Sequence, residues 1–292
     1  MGVPMNTLLK IMAFLLSRDI LPDRFLNWHK KTSNLRNIFV TKTMPFSGVK
    51  IKLNIGDHVQ YWMYMRRAYE YENLEYFSKI VNQGVFIDIG ANVGNYSLSL
   101  CKKANKVFAV EASKNNCQRI IETLKMNKID NVEVIHKAAY KVSGVKVKLY
   151  LSGDNAGRNS LLIDKNNIGC EEVETITIDS LLDKYDNERV FIKIDVEGSE
   201  DSVIEGANHT ILKKRPVIQC EINPLLNNSN CNNPYDIAHK KIIDYGYNSY
   251  FIRDNKMQPF YYNEYIFSEN RLFNVLYLAK DSYEDLQARA NK

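Results

Sequence analysis

From residue 84 onward, short apolar runs alternate with amphipathic stretches. Residues 85–89 (VFIDI) are β-branched and apolar and end in a Gly-containing turn, the pattern of a buried strand. The same reasoning predicts strands at 106–110, 132–135, 190–195 and 217–222, and late strands at 247–252 and 274–279. Between them, 96–103, 115–127, 179–185, 200–207 and 235–245 place apolar residues at helical spacing, for example Ile120, Ile121 and Leu124. Residues 145–151 and 173–178 alternate and read as added strands. Strands separated by helices predict an α/β fold, a doubly wound and mostly parallel sheet covered on both faces. The first 80 residues read differently. A short strand is expected at 53–55, and 61–80 reads as one helix, with Tyr64, Ala68, Tyr71, Leu74 and Phe77 three or four apart. The chain therefore divides into a mainly helical N-terminal extension, 1–80, and a catalytic domain, 81–292.

In a doubly wound sheet, ligands bind beyond the carboxyl ends of the strands, where the topology switches. The first predicted strand ends there in Asp88-Ile89-Gly90-Ala91-Asn92-Val93-Gly94. Gly90 lets the backbone turn sharply and approach a ligand. Asn92 stands where a dinucleotide fingerprint often has Gly, and Asn tolerates the left-handed region better than most residues. Glu111, 21 positions after Gly90, ends the second strand, where an acid can accept hydrogen bonds from both ribose hydroxyls. Asp88 separates two cofactor classes. A pyrophosphate against this turn would be repelled by the carboxylate, whereas S-adenosylmethionine carries cationic ammonium and sulfonium groups. The alternative is a strand-turn-helix in which Asp88 only caps the helix.

A second group of acids sits at later strand ends. Asp195 and Glu197 are two residues apart and would face one side if the strand stays extended. Gly198 then breaks the strand, and Glu221 closes the next one. Converging carboxylates repel, so at least one pKa is expected to rise, which suits a general base. Hard oxygen ligands would also suit a divalent metal, but the reading without a metal is preferred. Glu200 and Asp201 fall in a helix's first turn with Ser199 as N-cap, and are read as structural. His58 and His136 are rival bases.

The segments FIDIGANVGNYSLSL, VFAVEASKNN, IKIDVEGSEDSVIEGA and RPVIQCEIN, in this order, resemble the FkbM family of methyltransferases, within the Rossmann-like class I group. The resemblance covers residues 84–222. It implies a seven-stranded sheet, S-adenosylmethionine as cofactor and O-methylation of a sugar, glycan or natural-product hydroxyl. By position it implies that Asp88, Gly90, Ala91, Asn92 and Gly94 hold the methionine end, and that Glu111 holds the ribose. Lys137 and Ala138 would then lie along the adenine, with Asp195 touching the cofactor side as well. Asn159-Ser160-Leu161 resembles a Ser-rich loop of the family, with Asn159 in place of a second Ser. Two other functions compete: a dinucleotide-dependent oxidoreductase, against which Asp88 and Asn92 argue, and a non-catalytic binder of a glycan or partner.

Composition changes this picture little. The formal charge is +5, with no aromatic-basic patch, so no nucleic-acid partner is expected. Five cysteines without a CxxC pair argue against a disulfide framework or a cysteine zinc site and fit a cytoplasmic setting. Residues 8–16 (LLKIMAFLL) are too few to span a bilayer and read as a packing or amphipathic helix with scope for peripheral membrane contact. The tyrosines at 245, 247, 250, 261, 262 and 265 read mostly as strand packing.

Overall fold

The computed structural model describes residues 35, 37–153, 156–163, 165, 167–185, 188–222, 233–261 and 273–280. The apolar run 8–16, Cys231 and the tyrosines at 262 and 265 lie outside the described residues.

The chain begins with a hairpin, β1 (Phe39–Thr43) and β2 (Lys50–Asn54), followed by helices α1 (His58–Met65) and α2 (Tyr71–Ile80). The Rossmann-like part then runs β3 (Val85–Ile89), α3 (Asn95–Leu100), β4 (Lys106–Glu111), α4 (Lys114–Asn127) and β5 (Val132–His136). A side sheet follows: β6 (Ala138–Ala139), β7 (Lys146–Ser152) and β8 (Asn167–Ile176). The chain returns through α5 (Ile178–Leu182), β9 (Val190–Ile194), α6 (Glu200–Glu205), α7 (Asn208–Lys214) and β10 (Val217–Ile222). It ends with α8 (Pro234–Asp244), β11 (Tyr247–Arg253), β12 (Lys256–Pro259) and β13 (Phe273–Ala279).

The main sheet has the order β12-β11-β13-β10-β9-β3-β4-β5. The run from β10 to β5 is parallel, and β13 enters antiparallel between β10 and β11. The expected doubly wound, mostly parallel sheet is therefore present. It carries one more strand than seven, because β11 folds back on β12 at the sheet edge. Strands β3 and β9 are buried at every position, as expected where helices cover both faces.

Two expectations for the N-terminal part are corrected. The predicted 61–80 helix is two helices, and Glu70 between them has φ 54°. That left-handed conformation cannot continue a right-handed helix. The short strand lies at 50–54 rather than 53–55, and its partner β1 was not expected. Residues 39–80 pack into the core beneath one face of the sheet, where Leu53, Met63 and Phe77 join Phe86 and Leu276. Among the described residues, no helix is long and apolar enough to cross a membrane.

Candidate active site

The carboxyl ends of β3, β4, β9 and β10 open into one cavity of about 390 Å³. The β3–β9 and β9–β10 pairings are in register to Ile89, Ile194 and Cys220, so the residues that follow meet at one sheet edge. The turn after β3 supplies Asp88 to Asn92, and the end of β4 supplies Glu111. Asp195, Glu197 and Glu221 line it too, with Asp195 directly beside the turn, and Lys137 and Ala138 lie on the wall formed after β5. Of the residues assigned to the cofactor and to the acid set, Gly94 alone is absent from the lining. It sits at φ 91° at the start of α3, where an added Cβ would lie 2.9 Å from Leu98 side-chain atoms, so it acts through helix packing.

The turn is held by its acids. Asp88, 2% exposed, accepts hydrogen bonds at Oδ2 from the Ser97 backbone N–H (2.8 Å) and hydroxyl (2.6 Å). It thus caps α3 and lines the cavity at once. Burial raises its pKa, against the pull of Lys193. Glu111 accepts from Asn92 N–H at Oε2 and from Ser113 N–H at Oε1, both at 2.7 Å, which ties the turn to β4. The Asn116 side chain bonds the carboxylate as well, which leaves one of its four lone pairs for a ligand hydroxyl. Burial pushes the Glu111 carboxyl up to about 7. Asn92 is left-handed (φ 52°), and its buried Oδ1 has no hydrogen-bond partner among the described residues. Lys137 pairs with Glu174 of β8.

Strand alternation does not carry Asp195 into Glu197. Strand β9 stops at Ile194, and Glu197 has φ 54°, a strained conformation for a non-glycine residue. Both still reach the cavity, because the loop is held from two sides. The Ser160 hydroxyl donates to the Glu197 carbonyl at 2.6 Å, and Glu200 accepts from the N–H groups of Val196 (3.1 Å) and Gly198 (3.0 Å). Glu200 is thus structural, as expected, although it braces the loop through its side chain. Ser199 differs from expectation: its hydroxyl makes no cap bond, and the Ser202 N–H that it would cap bonds Asp201 Oδ1 at 2.7 Å instead. Burial, then Asp195, raise the Glu197 carboxyl to about 8, and burial raises Glu200 to about 8. Burial and the neighbouring Asp195, Glu197 and Glu70 hold Glu221 well above the usual carboxylate range.

Two site residues were not foreseen. Lys193 is 3% exposed and donates to Asp195 Oδ2 at 2.7 Å. Burial pulls its pKa down, but Asp195, Glu70, Asp88 and Glu221 outweigh burial and hold it above the ordinary value. A charged residue within the apolar run VFIKI was the available signal, since a buried ammonium needs partners. Glu70 had no such signal. It accepts from the Tyr96 hydroxyl at 2.9 Å, and Tyr96 in turn accepts from Gln219 at 2.9 Å. His58, at the start of α1, also lines the cavity with Tyr69. His136 is exposed, bonds the Ala112 carbonyl at 3.0 Å and is not in the lining.

Glu111 and Glu200 give stability a pH dependence. Their unfolded carboxyls titrate near 4.5, against about 7 and about 8 in the fold. The folded state holds the protons more tightly, so this contribution is complete below about pH 4.5 and is lost as pH rises through 7 to 8. The slope is up to about 1.4 kcal/mol per pH unit for each group. Thermal unfolding between about pH 5.5 and about pH 8.5 should show a falling melting temperature, and Glu200→Gln should flatten the fall. A wild-type melting temperature that rises over this range would contradict the assignment.

A mostly parallel sheet whose strand ends enclose an acid-lined cavity at the topological switch is the class I, Rossmann-like methyltransferase architecture. More particularly, the chain belongs to the FkbM methyltransferase family: the Methyltransferase FkbM domain profile matches residues 88–249, just over half of the sequence. No curated protein sequence matches the chain. Among solved structures, it is similar to an FkbM methyltransferase from Methylobacillus flagellatus at 18% identity and TM-score 0.44, over 67% of this chain and 43% of that one. The chain therefore spans less than half the length of that protein. It is also similar to a precorrin-6y C5,15-methyltransferase from Geobacter metallireducens at 16% identity and TM-score 0.42, over 73% of this chain and 88% of that one. An rRNA methylase from Streptococcus thermophilus aligns at 12% identity and TM-score 0.39, over 72% of this chain and 95% of that one.

Proposed function

We propose that the protein transfers a methyl group from S-adenosylmethionine to a hydroxyl of a sugar, glycan or natural product, with a strand-end carboxylate as general base. The observation that carries this reading is the single cavity, which joins the Asp88–Asn92 turn and Glu111 to Asp195, Glu197 and Glu221.

The residues present fit the cofactor. Asp88 offers negative charge to the cationic methionine end, and the unpartnered Oδ1 of Asn92 offers an acceptor for its ammonium. Glu111 would hold the ribose diol, and Lys137 and Ala138 would hold the adenine. S-adenosylmethionine supplies an electrophilic methyl on sulfur. The protein's part is to hold the acceptor oxygen in line with the carbon–sulfur bond. Transfer would leave the carbon–sulfur electron pair on sulfur, and a carboxylate of the Asp195, Glu197 and Glu221 set would take the hydroxyl proton. Raised pKa values at Glu197 and Glu221 suit that role. Dinucleotide oxidoreduction fits less well, because Asp88 faces the place a pyrophosphate would take.

The test is release of S-adenosylhomocysteine in the presence of a panel of sugars, nucleotide-sugars and glycolipids. Acceptor-dependent release supports the reading. Reduction of NAD by the same panel, without release, would replace it.

A further inference from the structure

We propose that Glu70, Asp195 and Glu221 form a binding site for one divalent cation of the magnesium, manganese or calcium class. The three residues come from separate parts of the chain: the junction of α1 and α2, the end of β9 and the end of β10. One carboxylate oxygen from each lies within 4.8 Å of the other two. Oxygens that share an ion at about 2.0–2.6 Å are at most roughly 4–5 Å apart, so the three can close on one ion with little movement. An all-oxygen, all-carboxylate set selects a hard cation over zinc or copper.

A second observation, independent of the clustering, concerns Glu221. Its Oε2 is buried and has no hydrogen-bond partner among the described residues, while the residue is 4% exposed and lines the cavity. The Ser199 hydroxyl on the same wall is also buried and without a partner among those residues. A buried carboxylate oxygen left unpaired is costly unless a cation or a proton meets it.

Either would relieve the cluster's negative charge, and the titration below separates the two. Lys193 is the cation already present, and its ammonium is hydrogen-bonded to Asp195 Oδ2. Against this one ammonium stand the carboxylates of Glu70, Asp195 and Glu221, with Asp88 and Glu197 beside them, an excess of acid that a divalent ion would reduce. The backbone supports a built site as well. Glu70 is held in the left-handed conformation, and the Tyr96 hydroxyl donates to its Oε2 at 2.9 Å. Glu70 precedes the region matched by the family, residues 88–249, so the site depends on how this chain's own N-terminal part docks.

An ion of this class keeps exchangeable positions for water, and an acceptor hydroxyl taking one of them would become more acidic. That role rests on the methyl-transfer reading; the binding itself does not, and binding is what the experiment measures. Calorimetry of the full chain with manganese chloride alone should show one saturable ion per chain. Glu70→Gln and Asp195→Asn should each weaken it by about 10-fold or more, with unchanged circular dichroism. If Glu70→Gln does not fold, Glu221→Gln takes its place with the same expectation. A parallel titration of Glu70→Gln with S-adenosylhomocysteine should stay within about threefold of wild type, because Glu70 is outside the set assigned to the cofactor. Absence of saturable manganese binding to the wild type would mean that protons balance the cluster, and would overturn the proposal. Manganese affinity unchanged in the carboxamide variants would overturn it too. Failure of S-adenosylhomocysteine to bind, with manganese binding intact, would count against the methyl-transfer reading alone.

Discussion

Glu221→Gln and Glu197→Gln are each expected to reduce acceptor-dependent S-adenosylhomocysteine release by about 100-fold or more while leaving cofactor affinity close to wild type. Gln keeps the shape of Glu and removes its capacity to take a proton. Glu221 is enclosed at the end of β10, among Asp195, Glu197 and Glu70, and lies in the cavity rather than in the core beneath it. A buried acid in that position destabilises the fold when ionised, so Glu221→Gln should not lower the melting temperature. Reduced turnover at undiminished stability is the signature of a site residue. Full turnover in both variants would remove the carboxylate from the mechanism.

Gly90→Ala is expected to cost more than about 3 kcal/mol or to prevent folding. Gly90 has φ +77°, and a Cβ built on it would stand 1.7 Å from the Asp195 carbonyl oxygen and 2.8 Å from its carbon. Both obstacles are backbone, so no rotamer change relieves them. A backbone bond holds the two segments in this approach, Asp195 N–H donating to the Ile89 carbonyl at 3.0 Å, and Gly90 N–H is fixed on the other side by the Val110 carbonyl of β4 at 2.9 Å. Gly144→Ala is the control. It shares a positive φ of +80° but meets nothing within 4 Å, so only the conformational cost of about 1 kcal/mol applies. Urea unfolding of the two variants separates contact from conformation. Equal stabilities would mean that β3 and β9 are not in the contact described.

Much of this arrangement was legible because the strands announce themselves. VFIDI and VIQCEI are largely apolar, β-branched runs whose ends are the observed strand ends, and the acids near their ends, Asp88 and Glu221, mark the sheet's carboxyl edge. Gly90 and Asn92 were legible for the same local reason, since a left-handed turn restricts residue type. The N-terminal contribution was not. Residues 66–70 (RRAYE) contain no Gly or Pro, so the break between α1 and α2 has no local marker, and nothing in the sequence singles out Glu70. Its left-handed backbone is imposed by tertiary contacts, among them the Asn95 side chain donating to the Tyr69 carbonyl at 2.9 Å. Strand β1 was missed because FVTKT is an exposed hairpin arm stabilised by pairing to β2, not by burial. The spacing of Asp195 and Glu197 suggested a shared face through strand alternation; the loop brings them to the same cavity through a left-handed residue instead.

The central claim is that this cavity takes a cationic, phosphate-free nucleoside cofactor. Calorimetry of the full chain with S-adenosylmethionine and, separately, with NAD tests it most directly. Saturable binding of one S-adenosylmethionine per chain, weakened by about 10-fold or more in Asp88→Asn, with no binding of NAD, is the predicted result. Saturable binding of NAD without binding of S-adenosylmethionine would contradict the account.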